Sequence, residues 1–297
     1  LRRLFLFMCL CMIFFGFCFR FVVAFLSARR SAPRAGFSRL SSFAFQGAAR
    51  AAMFRAGSLP VRVFKDDRAA KIFHSATMSI AENFEKTLHQ IRRAERIAGR
   101  AEGETSLVAV TKTLEAQTIR AALDYGHRCF GENKVQEAKD HWADLRQDYP
   151  DLELHLIGPL QTNKAAEAVA LFDCIETLDR EKLARILDGE MKKQGRAVPC
   201  YVQVNTGGEE QKAGIAPEGL KVFLQFCRAE TALSVTGLMC IPPVDEPPAL
   251  HFALLKKLAR EEGLANLSMG MSGDFEKAIA LGATHIRIGT ALFGARA

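Results

Sequence analysis

The chain has 297 residues, room for one or two domains, and its 49% hydrophobic and 25% charged residues exclude a collagen, a coiled-coil rod and a wholly disordered chain. Its formal charge of +7 is unevenly placed: residues 1–77 carry 13 Lys+Arg against the two acids Asp66 and Asp67, a local charge of +11, and residues 78–297 carry 27 bases against 31 acids, −4. A protein that binds nucleic acid through its folded surface needs the basic excess on its body, so no nucleic-acid partner is expected.

Residues 1–77 read as a leader outside the fold. Arg2 and Arg3 precede an uncharged, largely apolar run over 4–19, Arg20 interrupts it, and 21–26 resume it. With small residues near 24–28, this is the pattern of a secretory signal. Sixteen uninterrupted residues are short of the roughly 20 a spanning helix needs, though a tilted anchor stays open. Residues 27–64 are rich in Ser, Ala and Arg and contain no acid, which is transit-peptide composition. Signal plus transit resembles the two-part presequences that route proteins into complex plastids. The alternative is upstream sequence ahead of a start at Met78, one residue before the capping-box pattern Ser79-Ile-Ala-Glu82. The first reading predicts a plastid or another organelle, the second the cytoplasm. No membrane partner is expected for the body.

From residue 78 the pattern alternates. Helix-period stretches cover 79–99, 115–126, 134–147, 163–171, 180–195, 217–229, 247–262 and 274–281. Between them lie runs rich in Val, Ile, Leu and Cys at 107–112, 129–132, 153–158, 174–178, 200–205, 235–240, 266–271 and 285–289. Strands alternating with helices predict parallel βαβ units, and eight of them predict an α/β fold, a single-domain (β/α)8 TIM barrel over 78–297. A doubly wound open sheet is the alternative, but Val110-Thr-Lys-Thr-Leu114 after the first strand is not a Gly-rich dinucleotide loop. Cys129, Cys174, Cys200, Cys227 and Cys240 are scattered, odd in number and without CxxC or Cys/His spacing. They read as buried thiols in a reducing compartment rather than a disulfide frame or zinc site, and no metal is expected.

Function in such a barrel sits where strands end. The first strand ends at Lys112, on the same face as Val108 and Val110 by alternation. If that face is inward, an amine stands against apolar walls, and desolvation readies it for a Schiff base. The other reading is a lysine that snorkels to solvent. Asn133 follows the second strand, and Gln161 and Asn163 follow the third; each is also an ordinary turn or cap residue. His155 lies within the third strand and reads first as a satisfied core residue. The seventh strand runs into Ser268-Met-Gly-Met-Ser272-Gly-Asp274, the eighth into Arg287-Ile-Gly289-Thr290. Glycines and hydroxyls after the last two strands are the recurrent phosphate site of these barrels. A lysine facing a phosphate cradle implies a phosphorylated aldehyde: pyridoxal 5′-phosphate, or the sugar phosphate of a class I aldolase. Arg287 shares a strand face with Gly289 and only donates hydrogen bonds, which suits an unprotonated pyridine nitrogen but also a sugar phosphate.

The body resembles the pyridoxal-phosphate homeostasis protein family, single-domain relatives of the barrel domain of alanine racemase. The resemblance rests on Ala109-Val-Thr-Lys-Thr113, Phe130-Gly-Glu-Asn133 with Val135-Gln-Glu137, His155-Leu-Ile-Gly-Pro-Leu-Gln-Thr-Asn-Lys164, Val204-Asn205 with Lys212-Ala-Gly214, Gly237-Leu-Met239, Ser268-Met-Gly-Met-Ser272 with Asp274, and Arg287-Ile-Gly-Thr290 with Phe293-Gly294. It implies Lys112 as the Schiff-base lysine, Ser272, Gly289 and Thr290 near the phosphate, Arg287 at the pyridine nitrogen, and Asn133, His155 and Met239 along the pocket. Thr111 and Lys134 depart mildly from the family pattern and touch none of these roles.

The resemblance implies a carrier that buffers pyridoxal phosphate and delivers it, with apo-enzymes that need the cofactor as recipients, a monomer or weak dimer as the state, and no catalytic residue. The alternative is an amino-acid racemase. A racemase needs a base on each face of the substrate, and the second comes from a further domain that is not expected here. Tyr201 opens the fifth strand, and Tyr125 and Tyr149 close helices, so all three are expected at the far end of the barrel. Lys164 and Lys212 read as surface or loop lysines with a transfer role as the alternative.

Overall fold

Eight short parallel strands close on themselves in chain order in the computed structural model, which describes residues 67–294. They are β1 (Ser106–Val110), β2 (Cys129–Glu132), β3 (Glu153–Leu156), β4 (Cys174–Leu178), β5 (Cys200–Gln203), β6 (Val235–Met239), β7 (Asn266–Ser268) and β8 (His285–Ile288). Between and around them run α1 (Asp67–Ile97), α2 (Ala116–Asp124), α3 (Val135–Trp142), α4 (Leu145–Asp148), α5 (Ala165–Leu171), α6 (Glu181–Gln194), α7 (Leu220–Glu230), α8 (Pro248–Glu261), α9 (Phe275–Ala280) and α10 (Thr290–Phe293). This is the (β/α)8 barrel the alternating pattern predicts. The signal, anchor and transit readings fall on residues 1–66, outside the described residues. Among the described residues no helix is long and apolar enough to cross a membrane.

Two helices differ from the periodicity. The first begins at Asp67, not at the capping-box pattern of Ser79, because no Gly or Pro between Asp67 and Ile97 interrupts it. Ser79 therefore lies inside a helix. The predicted 134–147 helix breaks after Trp142 into α3 and α4. Several strands also stop earlier than their apolar runs: β1 at Val110, β3 at Leu156, β5 at Gln203 and β7 at Ser268. The residues beyond these ends remain buried, Thr111, Ile157, Val204 and Met269 among them, and each still donates its N–H to the neighbouring strand, to the carbonyls of Gly131, Glu132, Met239 and His285 respectively.

Strand alternation sorts the side chains into two shells. Outward residues such as Leu107, Ala109, Phe130, Leu154, Leu156, Ile175, Val202, Leu238, Leu267, Ile286 and Ile288 join the helices in one continuous apolar core. Phe130 packs on Trp142 of α3 with ring centroids 4.8 Å apart. Inward residues form a separate interior in which Cys174, Tyr201 and Met239 make a small cluster of their own. Burial pushes the outer-shell Cys200 thiol up to about 12 and Cys227 up to about 11, so these are inert thiols.

Gly158 fixes how closely two strand ends approach. A Cβ there would lie 2.2 Å from the carbonyl oxygen of Asn133 and 2.7 Å from its Cα, backbone atoms with no side chain to give way. Gly158→Ala is expected to lower stability by about 1–3 kcal/mol, the usual cost of overpacking. Urea denaturation followed by circular dichroism reads this as a lower midpoint at unchanged slope.

Candidate functional site

Closure of the sheet decides what faces what. β1 pairs with β8 in the register Val108↔Arg287 and Ala109↔Ile288. Val110 and Gly131 are register partners on the next seam, and an added Cβ on Gly131 would meet Val108 Cγ1 at 2.9 Å, inside the barrel. Val108, Val110 and Arg287 therefore share the inner face. Alternation carries the same face on to Lys112, which is half-buried in the turn after β1. Gly289 is close to this turn from the other side: its Cβ would stand 3.4 Å from the Val110 carbonyl oxygen. The first and last strands thus bring Lys112, Gly289 and Thr290 to one stretch of rim, with Arg287 in the wall below it.

A buried carboxylate holds the lysine turn from behind. Glu132, fully buried at the end of β2, accepts from Thr111 Oγ1 at 2.6 Å and from Trp142 Nε1 at 3.1 Å, with His141 Nδ1 at 3.3 Å. Thr111 is the residue before Lys112, and Thr113 after it has φ 62°, a left-handed conformation uncommon outside glycine. The turn is therefore tied down on one side and strained on the other.

The floor of the interior is polar. Glu176 is wholly buried in β4. Its Oε1 accepts from His155 Nδ1 at 2.6 Å, and its Oε2 accepts from Ser268 Oγ at 2.5 Å. Arg287 Nη1 donates to Ser268 Oγ at 2.6 Å and lies 3.9 Å from Glu176 Oε2, and Nη2 donates to the Cys240 carbonyl at 2.8 Å. These bonds engage two of the five N–H groups of a guanidinium. Burial pushes the Glu176 carboxyl up, and the bonds and charges of His155, Arg287 and Ser268 more than offset it, so the carboxyl is held below its ordinary value. Burial likewise opposes charge on His155. Its bonds to Cys129, Glu153 and Glu176 prevail and keep it protonated well above the ordinary imidazole value.

The predicted site residues divide into two levels. Lys112, Asn133, Ser272 and Gly289 lie in the turns beyond the strand ends, and Thr290 opens α10. Met239 and Arg287 lie within the barrel wall, both buried. His155 is buried too, and its Nε2 points toward Cys129 and Glu153, the first residues of β2 and β3, and so toward the end opposite the mouth. The loop after β7 depends on Gly270, whose φ is +93° and whose Cβ would stand 2.5 Å from that of Ala278. Asp274 Oδ1 accepts from the Met271 N–H at 2.6 Å and closes the loop around Ser272. A cleft of about 390 Å³ opens between this loop and α1, lined by Ser272, Asp274 and Ala291 on one side and Asn83, Lys86 and Thr87 on the other. It borders the loop after β7 but does not reach Lys112.

None of the three tyrosines stands at the mouth. Tyr201 lies in the interior with its hydroxyl 3.5 Å from His285 Nε2, and burial pushes its pKa up. Tyr125 and Tyr149 cap α2 and α4 at their C-terminal ends. The sequence reading passed over Glu132 and Glu176. A signal for Glu176 was available: one acid amid Cys-Ile-Glu-Thr-Leu in a buried parallel strand is costly unless partnered. Two groups of metal-ligand type share His155, one with Cys129 and Glu153 and one with Cys174 and Glu176.

Comparison with known proteins gives concordant matches. The family profile of the alanine racemase N-terminal domain matches residues 84–297. The chain is 43% identical over 223 residues to the pyridoxal phosphate homeostasis protein of Pseudomonas aeruginosa, covering 73% of this chain and 96% of that protein. It is 36% identical to the protein of the same name from Escherichia coli, covering 73% and 97%. Among solved structures it is similar to PipY of Synechococcus elongatus with PLP bound, at 36% identity and TM-score 0.62 over 72% of this chain and all of that one. An alanine racemase from Clostridium difficile, at 15% identity and TM-score 0.56, shares the fold.

The Glu176 network generates a prediction of its own. Removing one member of a buried charged set leaves the others uncompensated, a loss of about 3–5 kcal/mol. Glu176→Gln is expected to lower stability by that order in chemical denaturation, whereas Ser268→Ala, which removes one neutral hydroxyl, costs roughly 1 kcal/mol.

Proposed function

The chain belongs to the pyridoxal phosphate homeostasis protein family, and from that premise we propose that it binds pyridoxal 5′-phosphate at the barrel mouth and serves as a carrier of the cofactor. The observation that carries the reading is the β1–β8 pairing, which sets Gly289 against Val110, two residues before Lys112. The residues present fit the group. Lys112 offers an amine at a half-buried rim position, Gly289 leaves room for close backbone approach, and Ser272 and Thr290 offer hydroxyl donors beside it.

Pyridoxal phosphate would supply an electrophilic aldehyde that a lysine amine holds reversibly as a Schiff base. Lys112 is the amine. The Glu132–Thr111 bond and the Thr113 conformation orient its turn. Ser272, Gly289 and Thr290 take the phosphate side, where N–H groups at the start of a helical turn favour an anion. Arg287 takes the ring-nitrogen side, with its guanidinium braced by Ser268 and the Cys240 carbonyl. A donor-only group opposite the ring nitrogen leaves that nitrogen unprotonated and weakens it as an electron sink, which suits holding the cofactor rather than turning over an amino acid. Asn133 lies beside Gly158 at the rim, and Met239 in the wall below. His155 acts from beneath, through Glu176.

No tyrosine of the described residues is placed to act as a second base, which argues against the racemase alternative unless a partner subunit supplies one. Apo-enzymes that require pyridoxal phosphate are the recipients in this reading, and the body is a monomer or weak dimer. A start at Met78 would place it in the cytoplasm, a genuine presequence in an organelle; N-terminal sequencing of the natural protein separates the two.

Borohydride reduction of the loaded protein is expected to fix one pyridoxal group on Lys112, located by peptide mass spectrometry. Lys112→Ala is expected to lose the adduct and the visible absorbance of the Schiff base. A stable imine in that variant overturns the assignment, and a purified protein that never carries a pyridoxal adduct favours the aldolase alternative. Amino acids incubated with the loaded protein in deuterium oxide are expected to exchange their α-protons no faster than with free cofactor; rapid exchange would establish an enzyme.

A further inference from the structure

Three side chains of metal-binding type converge at the end of the barrel opposite the mouth. Cys129 and Glu153 open β2 and β3 and are register partners. His155 stands two residues beyond Glu153, on the same strand face. His155 Nε2 lies 3.7 Å from Cys129 Sγ and 3.1 Å from Glu153 Oε1, and all three atoms lie within 4.8 Å of one another. A tetrahedral Zn²⁺, at about 2.3 Å from sulfur and about 2.0–2.1 Å from nitrogen or oxygen, requires a sulfur–nitrogen edge of about 3.6 Å and a nitrogen–oxygen edge of about 3.3 Å. The two measured edges match that figure closely enough for side-chain adjustment alone to seat an ion.

The imidazole is already set for ligation. Its Nδ1–H donates to the buried Glu176 at 2.6 Å, which fixes the ring and leaves Nε2 as the nitrogen facing Cys129 and Glu153. A carboxylate behind the distal ring nitrogen is the usual support of a metal-bound histidine. With Nδ1 committed, a lone pair on Nε2 would confront a carboxylate oxygen at 3.1 Å. Something positive has to lie between them, either a proton or a cation. A proton on Nε2 is shared between Glu153 at 3.1 Å and Cys129 at 3.7 Å, whereas an ion ligates all three. A thiolate, imidazole and carboxylate set selects zinc-like ions over magnesium or calcium. Access is open: the Glu153 side chain is 56% exposed and Cys129 is half-buried, while His155 is 1% exposed.

We propose that Cys129, Glu153 and His155 form a zinc-type divalent cation site at the N-terminal end of the barrel, with water in the fourth position. Binding displaces the Cys129 thiol proton, and any proton on Nε2, to solvent. That face of such barrels serves stability rather than chemistry, so the ion acts as a clasp between β2 and β3.

The test is titration of the chelator-treated full-length chain with Co²⁺, free of pyridoxal phosphate, so that its outcome is independent of Lys112. The expected result is one Co²⁺ per chain with a thiolate-to-cobalt charge-transfer band, displaced by Zn²⁺, and a rise in the unfolding midpoint with added Zn²⁺. Cys129→Ser and the surface change Glu153→Gln should each weaken binding by at least about tenfold, whereas Cys227→Ser should leave it unchanged. Absence of the band, its persistence in Cys129→Ser, or its equal loss in Cys227→Ser overturns the proposal.

Discussion

Hydrogen bonding between the last strand and the first sets residues nearly 180 positions apart in the sequence beside each other, and the rest of the site inherits its geometry from that seam. Val108 meets Arg287 and Ala109 meets Ile288, so the turn carrying Lys112 and the turn carrying Gly289 and Thr290 emerge at one rim. A shift of one residue in this register would send Arg287 into the apolar shell among the helices and bring Ile286 or Ile288 inward. The continuous outer core, from Leu107 on β1 to Ile288 on β8, makes that slip costly because every strand would move its apolar face together. Site geometry is thus protected by packing that contains no site residue.

The interior carries the opposite burden. It is narrow, and several of its side chains are polar, so each must find a partner inside. Glu176 does this with both oxygens, one on His155 and the other on Ser268 beside Arg287. One carboxylate consequently links a group that looks toward the mouth with one that looks toward the opposite end. Its bonds to His155 and Ser268, with the charges of His155 and of Arg287 3.9 Å away, offset the burial of its own charge, which is why its pKa falls despite complete enclosure. Glu132 plays the comparable part in the shell between strands and helices, where Thr111, Trp142 and His141 converge on one oxygen.

The apolar runs located all eight strands because buried parallel strands are written as such runs. They overshot at β1, β3, β5 and β7 because burial and one further cross-strand bond continue past each strand end: Thr111, Ile157, Val204 and Met269 are all buried and donate to the neighbouring strand. Those overrun positions lead into the rim, so the same blurring that moved strand ends made the rim residues legible as a group. The capping-box start at Ser79 was local and plausible, but a cap forms only where a helix ends, and nothing in residues 67–78 ends it. The networks around Glu132 and Glu176 were not legible, since each joins side chains from strands and helices that only register brings together. The Cys129–Glu153–His155 grouping was hidden for the same reason: its spacing along the chain, 24 and then 2 residues, has no meaning until β2 and β3 are aligned.

His155 shows why its family motif need not mark direct contact with a ligand. Its ring is committed on one nitrogen to Glu176 and faces away from the rim on the other, yet Glu176 is the group that braces Ser268 and, through it, Arg287. A side chain placed there acts on the mouth by fixing the carboxylate, and the carboxylate by fixing the guanidinium. Replacing the imidazole with an apolar ring of similar volume would leave Glu176 with only Ser268 and Arg287 as counterweights. The guanidinium would then be drawn toward the orphaned oxygen, since an unpaired buried carboxylate oxygen costs more than a lengthened bond to the Cys240 carbonyl. The histidine thus bears on the position of the arginine through Glu176 and Ser268, without touching the arginine itself.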